Sequence, residues 1–220
     1  VNKYSKNKLK KTENLVKKHL LGFKNILFVG VSGSVGAGGA KKNDDIDILV
    51  ITKKNRLWMT RLFLNFYIRF KKIPHRRVGK KERKDEFCFN MWLDESSLEL
   101  PKFKQTKISA SDLMFLKAVL NKENIYEKFV GENKRWVDQT VIARNEVTWQ
   151  SRWRHKLDLF TFPTGSLDRA RDDKRFNLFW WLVNLVAFGG QYLYMKPKMK
   201  GEKVGLGYAF FHGKRESGKL

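Results

Sequence analysis

Two periods of hydrophobic spacing alternate along the first hundred residues. Lys8 to Leu21 sets Leu9, Val16 and Leu20 on one side among lysines and stops at Gly22, which predicts a helix. Ile26 to Val31 is a short apolar run with the length of a strand, and Asp45-Ile46-Asp47-Ile48 alternates before running into Leu49 to Ile51. In a strand, residues i and i+2 share a face, so Asp45 and Asp47 project together while Ile46, Ile48 and Val50 point into a core. Leu57 to Phe70 is apolar nearly all round, interrupted by Arg61 and Arg69, and reads as a mostly buried helix. Phe87 to Leu93 reads as a strand with Cys88, Asn90 and Trp92 on one face and Phe87, Phe89, Met91 and Leu93 on the other.

Beyond a Pro101 to Lys107 linker the pattern turns helical. Ser109-Ala-Ser-Asp112 resembles a capping box, opening a helix with Leu113, Leu116 and Leu120 aligned. Asn124 to Val130 and Lys134 to Ser151 continue in helical style, and Leu159 to Arg175 reads as a loop. Phe176 to Met195 carries no charge, and its length suits a buried bundle helix, an interfacial helix or a membrane span. Asn177, Asn184 and Gln191 recur every seven residues along it, a polar stripe suited to a wet edge. The expected division is residues 1–107 as one α/β domain, a small mixed sheet flanked by helices, and residues 108–220 as a helical region with a basic tail.

Charge narrows the partners. The chain has 46 Lys and Arg against 22 Asp and Glu, a formal charge of +24. Such an excess points to a polyanion, nucleic acid first and an anionic membrane surface second. Lys71 to Lys84 concentrates it in Lys71, Lys72, Arg76, Arg77, Lys80, Lys81, Arg83 and Lys84, a loop suited to gripping a phosphate backbone or, more plainly, a solvated loop. Arg152 and Arg154 lie among Trp149, Trp153 and His155, either a stacking surface for bases or a core stripe with arginines reaching outward. The one cysteine, Cys88, excludes an internal disulfide and fits a reducing, cytoplasmic setting as a buried small hydrophobe. The four histidines show no spacing for zinc, and the lysine-rich amino terminus lacks an apolar stretch of signal type.

The chemistry is concentrated in Ile26 to Thr52. Two carboxylates side by side at the start of an apolar strand repel each other unless they share a hard cation such as Mg²⁺. Gly33 lets backbone amides approach a phosphate, and the Ser34 hydroxyl can donate to one. A Walker loop is excluded because Gly39 and Ala40 stand where Lys and Ser or Thr are required, and a dinucleotide fingerprint because Lys41 replaces its third glycine. A tight hairpin with a charged solvent edge is the plainer alternative, although Asn43-Asp44 already supplies its turn residues.

Gly33-Ser34 followed by Asp-apolar-Asp-apolar on the next strand resembles the signature of the DNA polymerase beta superfamily of nucleotidyltransferases, above all its minimal one-domain members. The likeness covers roughly residues 8 to 107. It implies the nucleotidyltransferase fold, Gly33 and Ser34 on the triphosphate of an incoming nucleotide, Asp45 and Asp47 on two Mg²⁺ ions, and Lys41 and Lys42 neutralising phosphate charge. It also implies a third aspartate on the strand that here carries Asn90, an amide that offers an oxygen but takes no proton. Asp85, Asp94 and Glu95 are the nearest carboxylates in sequence. The tail from Tyr194 to His212 is similar to those of bacterial proteins carrying a minimal domain of this kind. The expectation is a nucleotidyltransferase using a nucleoside triphosphate and transferring to RNA, with two alternatives: an RNA-binding protein that has lost catalysis, and a membrane-surface protein.

Overall fold

The computed structural model describes residues 1–76, 83–142, 174–199 and 201–211, with the backbone alone for 141, 142 and 174–177. Its centre is a six-stranded mixed sheet in the order β4-β1-β2-β3-β6-β5. The strands are β1 (Ile26–Val31), β2 (Ile46–Thr52), β3 (Phe87–Asp94), β4 (Lys117–Asn121), β5 (Lys203–Gly205) and β6 (Tyr208–Phe210). β2 and β3 run parallel, and every other neighbouring pair is antiparallel. The parallel pair requires a crossover, which α3 (Leu57–Phe70) provides.

Helices cover both sides of the sheet. α1 (Lys3–Leu15) is capped by Asn2, whose side chain accepts from the Ser5 amide at 2.8 Å, and continues through a π-helical turn, Val16–Leu20. Leu15, Val16 and Leu20 join Ile46, Ile48 and Val50 of β2 and Leu57, Trp58, Leu64 and Ile68 of α3 in one core. The opposite core holds Leu49 and Ile51 against Leu113 of α4 (Lys107–Met114) and Phe129 and Trp136 of α5 (Ile125–Ile142). All of β2 is therefore buried, including the side that alternation leaves open. A strand covered on both faces loses the polar half of its period.

Several expectations are corrected by the packing. Leu113, Leu116 and Leu120 do not share a helix: α4 ends at Met114, and Lys117–Asn121 pairs with β1. Spacing alone does not separate a short apolar helix from a strand. The cap of α4 is Thr106, whose hydroxyl accepts from the Ser109 amide at 3.2 Å, so the helix begins one turn earlier than the capping-box pattern places it. Three strands, β4 to β6, come from beyond residue 107. In β3 the register against β2 shifts between Asp47 and Leu49, so Met91 rather than Asn90 faces Leu49. This bulge moves Trp92 into the core of Phe87, away from the side of Met91 and Leu93. The face expected to hold Cys88, Asn90 and Trp92 is thus split.

The last long helix, α6 (Lys174–Met195), packs on α3. Its amides face inward: Asn184 accepts from the Trp58 backbone amide at 2.8 Å, and the Gln191 side chain both accepts from Arg61 at 2.5 Å and donates to the Trp58 carbonyl at 2.8 Å. Asn184 and Gln191 therefore form a buried seam and not a wet edge, while the Asn177 side chain lies outside the described residues. Burial lowers the pKa of Arg61 to about 10, and Gln191 supplies an acceptor for that cation. Among the described residues no helix is long and apolar enough to cross a membrane.

Candidate functional site

Gly33 opens α2 (Gly33–Ala37) directly after β1, with φ at 62°, in the left-handed region that favours glycine. A Cβ at this position would collide with Oδ2 of Asp47. The turn is thus laid directly on the carboxylate of the neighbouring strand, and the Ser32 amide donates to the Asp47 carbonyl at 3.0 Å to fix it there. Gly33→Ala is expected to lower stability by about 1–3 kcal/mol, a melting point lower by roughly 2–12 °C. Calorimetry measures this, and a melting point within about 1 °C of the parent would mean that the turn tolerates a side chain.

Asp45 and Asp47 are both buried, at 5% and 7% exposure. Asp47 Oδ1 accepts from Asn90 Nδ2 at 2.7 Å, and Asp45 Oδ2 accepts from Arg76 at 3.1 Å. The ligand atoms of Asp45, Asp47 and Cys88 lie within 4.8 Å of one another. Cys88 pairs with Asp47 in register, and Asn90, two residues on within the bulged stretch of β3, bonds to the same aspartate.

Cys88 is a member that its sequence context, an apolar strand, did not reveal. Burial, and then the charges of Asp47 and Asp45, push its thiol up. A sulfur ligand suits softer metals than the hard cation that two carboxylates would hold. The oxygen set is different. Asn90 is 8% exposed and its Oδ1 has no hydrogen-bond partner among the described residues, so a buried acceptor stands beside two carboxylates. Oxygen donors of this kind fit Mg²⁺, which is held through one or two carboxylates together with water and substrate oxygens.

The surrounding loop is built from residues that the motif does not name. Asp44 Oδ2 accepts from the Ser34 hydroxyl and from the Lys41 amide, both at 2.8 Å, and so ties the two ends of the glycine-rich spacer together. Beneath it the buried Lys8 donates to the Asp44 carbonyl at 2.7 Å and pairs with Asp85 at 2.6 Å. Burial acts to raise the pKa of Asp85, but its bonds to Lys11 and Lys8 outweigh this and hold it below the usual value. A carboxylate engaged by two lysines does not serve as the missing third ligand. Asp94 lies at the far end of β3 and accepts from Ser96, while the Glu95 amide bonds to Thr52. Neither belongs to the Asp45 and Asp47 group.

Lys41 and Lys42 are exposed beside this loop. Of the basic residues singled out by sequence, Lys71, Lys72, Arg83 and Lys84 are exposed. Lys72 and Arg83 line a cleft with Arg69 and His75. Arg76 is placed differently, turned onto Asp45 inside the site. Buried carboxylates attract the nearest cation more strongly than solvent does. Arg77, Lys80, Lys81, Arg152 and Arg154 lie outside the described residues, as do Trp149 and Trp153. A family model described as a nucleotidyltransferase domain matches residues 9–130, from α1 into α5 and across β1 to β4. No curated protein and no solved structure matches the chain.

Proposed function

The chain belongs to the nucleotidyltransferase domain family, and from that premise we propose that it moves a nucleoside monophosphate from a nucleoside triphosphate to a hydroxyl of RNA, with Mg²⁺. The observation that supports the reading is the close approach of Gly33 to the Asp47 carboxylate, where a Cβ would collide: a turn suited to phosphate lies against a pair of carboxylates suited to a metal. Asp45 and Asp47 would hold the metal, with Asn90 Oδ1 beside them, and Gly33 and Ser34 would take the triphosphate, the Ser34 hydroxyl exchanging its bond to Asp44 for one to a phosphate oxygen. Lys41 and Lys42 would offset its charge from the exposed side of the loop. When bound, Mg²⁺ neutralises phosphate charge and lowers the pKa of a coordinated hydroxyl. In the transfer, the acceptor oxygen forms a bond to the α-phosphorus as the bond to the β-phosphate oxygen breaks, and pyrophosphate leaves.

Asn90 has no site that accepts a proton, so the hydroxyl proton passes to a carboxylate of the pair or to water. Slow turnover follows. RNA as acceptor is supported by the +24 charge and by the exposed Lys71, Lys72, Arg83 and Lys84. A cytoplasmic location accords with the single cysteine. The second reading, a nucleic-acid-binding protein without catalysis, is favoured by Asn90 alone.

Incubation with each α-phosphate-labelled nucleoside triphosphate, Mg²⁺ and total RNA tests both, with Asp45→Asn as the blank. Label on RNA from the parent and not from the blank is the expected result. Asn90→Asp is expected to raise the rate at least about tenfold, below the ~10²–10⁴ of an ideally placed base because a third buried negative charge is added beside Asp47. No label from either the parent or Asn90→Asp, with RNA binding intact, would replace the transferase reading by the second.

A further inference from the structure

The helix pair α3 and α6 has its polarity turned inside out. Asn184 and Gln191 of α6 are buried against α3, whereas Leu178, Phe179, Leu182, Val186 and Leu193 are exposed, Val186 at 75% and Leu193 at 72%. These five recur at spacings that place them on the side of α6 opposite Asn184 and Gln191. On α3 the same happens with Phe63, Phe66 and Phe70, at 59%, 62% and 81% exposure, opposite the buried Leu57, Leu64 and Ile68. The two helices run side by side, Trp58 touching Asn184 near one end and Arg69 reaching Tyr194 near the other, so both apolar sides face outward from one layer. Eight large apolar side chains on two adjacent helices exceed the scattered exposure normal for a soluble surface.

Charge identifies what this layer meets. Neither helix contains an Asp or Glu, and their carboxyl ends lie together and are cationic, with Arg69 in the last turn of α3, Lys71 and Lys72 after it, and Lys196 and Lys198 after α6. Lys198 Nζ stands 3.5 Å from the centre of the Tyr194 ring and Lys71 Nζ 5.7 Å from that of Phe70, so cations and aromatics are interleaved at the rim. A second copy of the chain would bring its own +24 charge and the same cationic rim against this one. Nucleic acid neutralises cations but gives exposed phenylalanines and aliphatic side chains no apolar phase to enter. An anionic bilayer satisfies both, with headgroups for the lysines and acyl chains for the apolar side.

We propose that the outer side of α3 and α6 is a membrane-docking surface, by which the protein lies on an anionic lipid bilayer without crossing it. Phe63, Phe66, Phe70, Val186 and Leu193 enter the boundary between headgroups and acyl chains, and the five cations at the carboxyl ends contact acidic headgroups. No residue of the Asp45 and Asp47 site belongs to this surface, and its apolar side chains play no part in the transfer reaction; Lys71 and Lys72 are shared with the basic surface proposed to meet RNA.

The test is co-sedimentation of the whole chain with vesicles of phosphatidylcholine alone or containing about 30 mol % phosphatidylserine. The chain is expected to pellet with the acidic vesicles and stay in solution with the neutral ones. Phe63→Ser with Phe66→Ser and Phe70→Ser, which leaves the net charge unchanged, is expected to lower partitioning by at least about tenfold. Val186→Ser with Leu193→Ser provides the same reading from the other helix if the first variant does not fold. Binding to acidic vesicles that both variants retain in full would mean that charge alone drives it and would overturn the proposal, as would no vesicle binding. A concentration-dependent dimer in sedimentation equilibrium, abolished by these substitutions, would assign the surface to a second copy instead.

Discussion

Asp47→Asn is expected to lower nucleotidyl transfer by on the order of 10³-fold, about 4 kcal/mol of transition-state stabilisation, while leaving the melting point nearly unchanged. The two halves of this expectation come from different atoms. An amide replaces the carboxylate at nearly equal volume, and its remaining oxygen can still accept from Asn90 Nδ2, so the buried hydrogen bond at 2.7 Å survives. The negative charge that would hold a divalent cation next to Gly33 is lost. Initial rates with labelled nucleotide and a thermal melt separate the effects. Transfer reduced by less than about tenfold would place the metal elsewhere.

Trp58→Ala is expected to destabilise the fold by about 3–5 kcal/mol, a large fraction of the stability of an ordinary domain. Trp58 is fully buried, its ring nitrogen donates to the Gly205 carbonyl at 2.9 Å, and its ring centre lies 4.9 Å from that of Phe188. One side chain therefore joins α3 to α6 and to β5. Removing it empties a large volume and leaves the Gly205 carbonyl without its donor. Urea unfolding followed by circular dichroism measures the loss. A cost below about 1 kcal/mol would mean that α6 and β5 are held by other contacts.

What the sequence made legible is what local chemistry decides. β1 and α3 fall at their expected bounds, because a bounded apolar run and a long helical segment each have one good solution. The closeness of Asp45 and Asp47 was legible as well, since residues i and i+2 of a strand share a face. β4 was not, because Leu113, Leu116 and Leu120 obey helical spacing and only pairing with β1 makes the segment that holds Leu120 extended. β5 and β6 left a trace in Gly205-Leu206-Gly207, a two-strand turn signal that the adjacent basic tail obscured. The bulge in β3, the inward turn of Arg76 and the orientation of α6 depend on long-range partners, and no local pattern states them. The buried helix expected over Leu57 to Phe70 has its bounds right and its outer side wrong, because three phenylalanines in a helix read as core.

The hairpin of β5 and β6 places a constraint on how the protein is made. β6 pairs with β3 through Met91, Trp92 and Leu93, and the Phe211 amide donates to the carbonyl of Asn90 at 2.8 Å. On the ribosome, β4, β1, β2 and β3 are all synthesised before residue 122, whereas the strand that closes the far side of β3 begins only at Tyr208. Through that interval the nascent chain presents β3 as a bare, apolar edge with open backbone donors and acceptors. Emergence of β6 thus completes the pairing of the strand that carries Asn90 and covers this edge in one event, so truncation before residue 203 is a route to aggregation as well as to an incomplete site.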